Sequence, residues 1–239
     1  RIWVYRNAAR IYAGFLFGQS ASLNVGGSVN ISTADYLKLT DGNKFFADPS
    51  KNSVLSMDPV SAFGFLPSNS LSVPGITVQA SDLRVRTGQT LSLVGNAFVD
   101  LVGARLTARA GRLNLVSVGP VDGTQGEVIA SGSGAASTLS TTGFSKPGSI
   151  TIVRTNLDTS STSNMNNSGS IFIRGGEIII ETALPSVTPT IDSTNLGNAG
   201  KGGPIDIQGN IILITDSYVK TNNEGFGDGS DIRIVATDS

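Results

Sequence analysis

Cysteine and histidine are both absent from the 239 residues. Without cysteine there is no disulfide framework and no thiolate nucleophile. Without histidine there is no His-based catalytic triad and no imidazole metal site. Charge is also scarce: Asp, Glu, Lys and Arg make up 15% of the chain, against about 25% in an average soluble domain. The 17 cationic and 18 acidic side chains leave a net charge of −1. No nucleic-acid partner is expected, because phosphate neutralisation needs a surplus of cations on one face. No stretch approaches the roughly 20 apolar residues of a bilayer span, so no membrane-spanning segment is expected. A chain free of cysteine suits passage, unfolded, through an oxidising compartment where a stray disulfide would block transport.

What remains is Ser, Thr, Asn and Gly around short aliphatic runs. Helical surfaces are normally rich in Glu, Lys and Arg, so this composition points to extended β structure. The runs 76–79 (ITVQ), 91–94 (LSLV), 150–153 (ITIV), 171–174 (IFIR), 205–208 (IDIQ), 211–215 (IILIT) and 232–235 (IRIV) are β-branched and mostly alternating. Gly, Asn, Asp or Pro clusters separate them.

From about residue 145 a loose unit recurs: Gly, one or two small or polar residues, then Ile-x-Ile. Its first Ile falls at 150, 171, 205 and 232, in steps of 21, 34 and 27. Strands without helices at such periods predict an all-β chain, a right-handed parallel β-helix (single-stranded β-solenoid). No coil buries its inward aliphatic row alone; stacking the coils does. Outward Thr151, Arg174, Asp206 and Arg233 are expected to stay wet, and 158–168 and 185–202 to be surface excursions. The competing architecture is a hairpin-built sandwich. Against it, Asp41-Gly42 and Asp122-Gly123 do not sit between clean alternating strands. Before residue 145 proline and aromatics interrupt the pattern, with six of the ten Phe in 15–65. This part reads as the start of the same stack with extra strands packed on it.

The block 14–40 (GFLFGQSASLNVGGSVNISTADYLKLT), together with Ser61-Ala62-Phe63-Gly64-Phe65-Leu66, resembles the haemagglutination-activity region of two-partner-secretion exoproteins of the filamentous-haemagglutinin type. Segments 76–95 and 103–118 are similar to the way those proteins continue. Ile11 and Tyr12 stand where the family has Asn-Pro, and residues 1–12 look foreign to it. The resemblance implies a divergent segment at 1–13, a partial secretion domain at 14–145, and at 146–239 a repeat region continuing the same solenoid. Residues 1–12 are expected to be poorly packed and the first coil to show an uncapped edge. The family implies a secreted or surface-exposed protein associated with the outer membrane. Its partner there is an outer-membrane two-partner-secretion transporter whose periplasmic modules grip the unfolded chain. A structural adhesin role implies a host or neighbouring-cell surface receptor or glycan. The alternatives are a secreted carbohydrate-active β-helix enzyme and a passive stalk for a separate effector.

An enzyme on such a scaffold needs acids converging on one groove. Asp82, Asp100, Asp122, Glu127, Asp158, Glu177, Glu181, Asp192, Asp206 and Asp216 are spread along the chain. Glu177 and Glu181 read as solvated strand ends. Asp228-Gly229-Ser230-Asp231 lacks the oxygen count for calcium, and Gly200-Lys201-Gly202-Gly203 lacks the Lys-Ser/Thr ending of a phosphate loop. No catalytic residue, no cofactor and no metal site is assigned. Asn24, Asn30, Asn114, Asn156 and Asn210 are candidates for stacked amide ladders. Tyr36, Phe45, Phe46, Phe63 and Phe65 form either a sugar platform or a core beneath a hairpin, the latter favoured. Asp35-Tyr36-Leu37-Lys38 is either a transporter contact or a wet strand edge.

Overall fold

Alternation along a strand sends residues i and i+2 to the same face. A run such as Ile-x-Ile therefore offers two aliphatic side chains to one side and needs a second layer to cover them. In the computed structural model that layer is built by the chain returning on itself. The structure describes residues 2–4, 14–23, 25–54, 56, 58, 60–67, 75–131, 138–162, 167–182, 190–198 and 200–237. Among them every element is a strand, no helix occurs and no sheet closes into a barrel.

Three sheets are parallel throughout. Sheet I holds β1 (Ile2–Val4), β3 (Val29–Ser32), β9 (Thr90–Asn96), β12 (Arg112–Val118), β17 (Ser170–Arg174), β20 (Ile205–Gly209) and β23 (Ile232–Ala236). Sheet II holds β2 (Gly14–Phe17), β7 (Gly75–Gln79), β10 (Phe98–Val102), β15 (Ser149–Val153), β18 (Glu177–Glu181) and β21 (Ile211–Thr215). Sheet III holds β8 (Asp82–Arg84), β11 (Arg105–Thr107), β16 (Asn156–Asp158), β19 (Thr190–Asp192) and β22 (Tyr218–Lys220). In each sheet spatial order follows chain order. From β7 onward the chain visits II, III and I in turn, one strand per sheet per coil.

The inward rows explain why. Val29, Leu91, Leu113, Ile171 and Ile205 lie in register across sheet I. Ile76, Val99, Ile150 and Ile178 do so in sheet II, and Leu83, Leu106, Leu157 and Ile191 in sheet III. All are fully buried in one continuous core. Each such side chain contributes about 1.5–3 kcal/mol over an exposed one.

The repeat read from the sequence mixed two faces. Ile150 pairs with Val99 and Ile178 in sheet II, whereas Ile171, Ile205 and Ile232 belong to sheet I. The 21-residue step therefore crosses one coil from face to face, and only the steps of 34 and 27 are coil lengths. Similar Gly-x-Ile-x-Ile strings serve both faces because both need the same alternation.

Two excursions leave sheet I, after β3 and after β12, and meet in antiparallel sheet IV. Its order is β14 (Thr138–Thr142), β13 (Gly126–Ser131), β6 (Val60–Phe65), β4 (Tyr36–Leu39), β5 (Lys44–Phe46). Asp41-Gly42 does turn a hairpin, joining β4 to β5: Gly42 has φ of 85° and its N–H donates to the Leu39 carbonyl at 3.0 Å. Sheet IV lies on the outside of sheet I. Leu37, Phe63, Phe65, Val128 and Leu139 pack against Val94, Val116 and Phe172, which point away from the coil interior. A second core results, so the outer face of sheet I is half apolar.

The backbone of Ile2–Val4 pairs in parallel with Val29–Ile31 and adds a strand to sheet I. The side chains of these three residues and the rest of 1–13 lie outside the described residues. Parts of the expected excursions are also structured. Thr159, Ser161, Ser193 and Asn195 are buried at the corner after sheet III, and Ser161, Asn195 and Asn223 bridge in parallel from coil to coil. Their hydroxyls and amides are satisfied by neighbouring rungs, as where Ser168 Oγ donates to the Ser193 carbonyl at 2.7 Å. At the same corner Gly111, Gly169 and Gly203 stack, and a Cβ on Gly203 would strike the Gly169 carbonyl.

Candidate functional site

The outer face of sheet IV carries the densest group of polar and aromatic side chains in the antiparallel part. Across that face Tyr36 on β4 lies opposite Phe46 on β5 and Gly64 on β6, and Gly64 lies opposite Glu127 on β13. Because Gly64 has no side chain, the Tyr36 ring lies flat across β6; a Cβ there would fall inside the ring. The phenol thereby reaches one strand further, and its hydroxyl donates to Glu127 Oε1 at 2.9 Å. Lys38 Nζ donates to Glu127 Oε2 at 3.0 Å. Lys44 Nζ sits 4.2 Å from the Tyr36 ring centre and donates to Gln125 Oε1 at 3.0 Å. Lys51 Nζ is 5.2 Å from the centre of Phe46, and the Tyr36 and Phe46 rings are 5.5 Å apart, tilted by 52°.

Tyr36 is wholly buried and Glu127 nearly so. Burial raises the Tyr36 pKa well above its ordinary value, and the Glu127 carboxylate adds to the rise. Burial acts on Glu127 in the same sense, but the hydrogen bonds from Lys38 and Tyr36, with the Lys38 and Lys44 charges, outweigh it and hold the carboxylate below its usual pKa. The group is an ionised carboxylate beneath a cation–aromatic rim of three lysines.

The structure speaks against the wet-edge reading of 35–38. Asp35 accepts from the Leu66 N–H at 2.8 Å, Leu37 is core, and β4 is an interior strand flanked by β5 and β6. The segment is therefore not a wet edge. The five aromatics divide by face: Phe63 and Phe65 are buried in the second core with Phe45 against it, while Tyr36 and Phe46 face outward from the sheet.

The scattered acids fall on different sheets and mostly hold partners. Asp82 is paired with Arg84, whose hydrogen bond lowers its pKa. Asp158 and Asp192 stack on successive rungs of sheet III, which the sequence did not reveal. Asp158 is 3.6 Å from Arg109, and Asp192 is 3.0 Å from Lys220. Asp206 binds Arg174 at 2.9 Å and Arg233 at 3.4 Å. Arg174 and Asp206 are thus not the wet positions expected; Arg174 flanks Phe172 and its side chain is only 12% exposed. Arg112 stacks 4.3 Å from the same ring, and burial, then the Arg174 charge, push its pKa down to about 10. Glu177 and Glu181 face outward from sheet II. Asp228 pairs with Lys201 at 3.4 Å. Among the described residues no three acidic side chains gather as a metal site.

The amide ladder lies elsewhere than expected. Asn195 Nδ2 donates to Asn223 Oδ1 at 3.3 Å, one coil apart, and each Oδ1 accepts the N–H two residues on, from Gly197 and Gly225. The shared Asn-x-Gly at a spacing of 28 was the available signal. Asn30 and Asn114 lie on the outer face of sheet I and Asn156 accepts from the Thr190 N–H; Asn24 lies outside the described residues.

Parallel sheets in coil order, with an antiparallel sheet packed across one of them, define an all-β protein of stacked coils with a side sheet. The TPS secretion domain family model matches residues 12–173, so the chain belongs to that family. The matched span takes in every strand of sheet IV and continues into β17. This makes the protein a secreted exoprotein of the two-partner-secretion class, a class that works with an outer-membrane transporter. No curated protein and no solved structure gives a significant match. No helix among the described residues is long and apolar enough to cross a membrane.

Proposed function

We propose that this chain is the export and adhesin segment of a filamentous-haemagglutinin-type exoprotein, coiled as a right-handed parallel β-helix and displayed at the outer membrane. Right-handedness follows from the strong preference of parallel crossovers. Residues 14–145 serve recognition and export, and 146–239 continue the stack; the return of the chain from β14 to the coil at β15 supports that division, while the family match runs on to residue 173. The family match supports the export role, and the lysines on and just after the β4–β5 hairpin, Lys38, Lys44 and Lys51, which lie inside the matched span, are what the transporter's periplasmic modules grip while the chain is still unfolded. Folding coil by coil outside the cell biases passage outward without ATP, because each coil is templated by the last.

The adhesin reading is favoured over a carbohydrate-active enzyme by one observation: the two stacked carboxylates, Asp158 and Asp192, are each taken up by a cation. The test is export by the cognate transporter of the wild-type chain and of a Lys44→Glu, Lys51→Glu variant, which leaves the Lys38–Glu127 pair in place. Secretion of the variant falls sharply while its purified form keeps the wild-type circular dichroism. Unchanged secretion would remove these lysines from transporter recognition.

A further inference from the structure

On the first four coils the corner between sheets II and III carries a residue in the left-handed region: Ser20, Ala80, Gly103 and Arg154 have φ of 65°, 45°, 64° and 49°. The first three are small. Beside them runs an in-register column of polar residues on the outer face of sheet III, Ser22, Asp82, Arg105 and Asn156. Small corners next to longer polar neighbours leave a groove of about 410 Å³, closed on the fourth rung by Arg154. A second groove of about 400 Å³ lies on the other side of the same corner, between Gln19, Gln79, Val102 and Arg154.

Two cations in this place are unspent. Arg154 Nε is buried and has no hydrogen-bond partner. Arg105 is exposed and acts on Asp82 only through its charge. The one acid in the groove, Asp82, is already held by Arg84. The groove therefore carries two guanidiniums on adjacent rungs with no carboxylate of their own. Its floor is hydroxyl, amide and small residues, without an apolar socket for a peptide side chain. A guanidinium binds a carboxylate side-on through Nε and one Nη, the geometry a turned Arg154 side chain would offer.

We propose that this corner binds an acidic polysaccharide. Arg105 and Arg154 take the carboxylates of uronate units, and Ser20, Ser22 and Asn156 bond the ring hydroxyls. Parallel rungs repeat about every 4.8 Å, so the two guanidiniums are spaced along the stack to meet charges that recur along a polymer. The inference deepens the adhesin reading and rests on it for its setting.

Isothermal titration calorimetry of the full chain with oligogalacturonate tests it. Binding is expected with the acid, not with its methyl ester, and weakens by about tenfold or more in Arg105→Gln and in Arg154→Gln. Arg105 is exposed, so its variant keeps the fold, which circular dichroism verifies. Equal binding of the ester, unchanged affinity in both variants, or tighter binding of polyglutamate each overturns the proposal. Both variants are exported at the wild-type rate, so loss of glycan binding is distinguishable from loss of transporter recognition.

Discussion

The hydroxyl of Tyr36 donates to Glu127 at 2.9 Å across 91 positions of sequence, and it does so by lying over Gly64. This contact joins the two excursions from sheet I into one sheet. Removing the hydroxyl in Tyr36→Phe leaves a buried carboxylate oxygen one donor short. The expected loss is about 1–2 kcal/mol by urea denaturation. Gly64→Ala is more severe, because the ring has nowhere to go without releasing the bond.

The same pair sets a pH dependence. Glu127 has a folded-state pKa below its unfolded value of about 4.3, so it stabilises the fold above that pH. That contribution is lost as pH falls through the folded value. Tyr36 is shifted upward, so its contribution is full below its unfolded pKa of about 10 and declines as pH rises beyond it. Urea midpoints between pH 3 and 11 (a range chosen around these values, on the order of one unit beyond each) should fall at both ends. Glu127→Gln flattens the acid limb, and Tyr36→Phe flattens the alkaline one. Two unchanged limbs would show that the pair has little part in stability.

At the II–III corner, Ser20, Ala80, Arg154 and Asp216 adopt a conformation that disfavours a side chain. Ala80 is exposed there, so Ala80→Gly loses no packing. Relief of left-handed strain, less the added entropy of glycine in the unfolded chain, leaves a gain of about 0.5–1 kcal/mol. Gly103→Val, on the next rung, works in reverse and costs about 1–2 kcal/mol. Thermal midpoints moving in opposite directions for the two variants are the expected result. Equal shifts of one sign would mean that the corner is not strained.

These corners show where the sequence stops being readable. Inward rows such as Ile150/Ile152 and Ile205/Ile207 announce themselves, because burial on one face of a strand requires alternation. The corner does not, because Ala, Ser and Arg stand at left-handed positions where glycine is the usual sign. Sheet IV is legible only in outline: the Phe-rich stretch before residue 145 announces extra strands packed on the stack and a core beneath a hairpin, but not which strands pair. Leu37 and Phe63 look like any apolar residues, and only coordinates bring Val128 beside them and aim Val94 and Val116 outward. The Asp158–Asp192 stack required knowing that the coil between them is 34 residues long.

Coil order also bears on export. If external folding pulls the chain outward, destabilising an early coil should slow secretion more than equal damage to a late one. Ile76 lies in β7, near the start of the stack, and Ile207 in β20, near its end among the described strands; both are fully buried. Truncation to alanine costs about 2–5 kcal/mol at each site. Pulse-chase secretion with the cognate transporter should show Ile76→Ala delayed and Ile207→Ala close to wild type, with both accumulating to lower protease resistance outside. The comparison separates two mechanisms, because loss of final stability acts alike on both variants, whereas templating acts first on the coil on which later ones are laid. Equal delays would assign the effect to overall stability and remove coil-by-coil folding as the source of directionality.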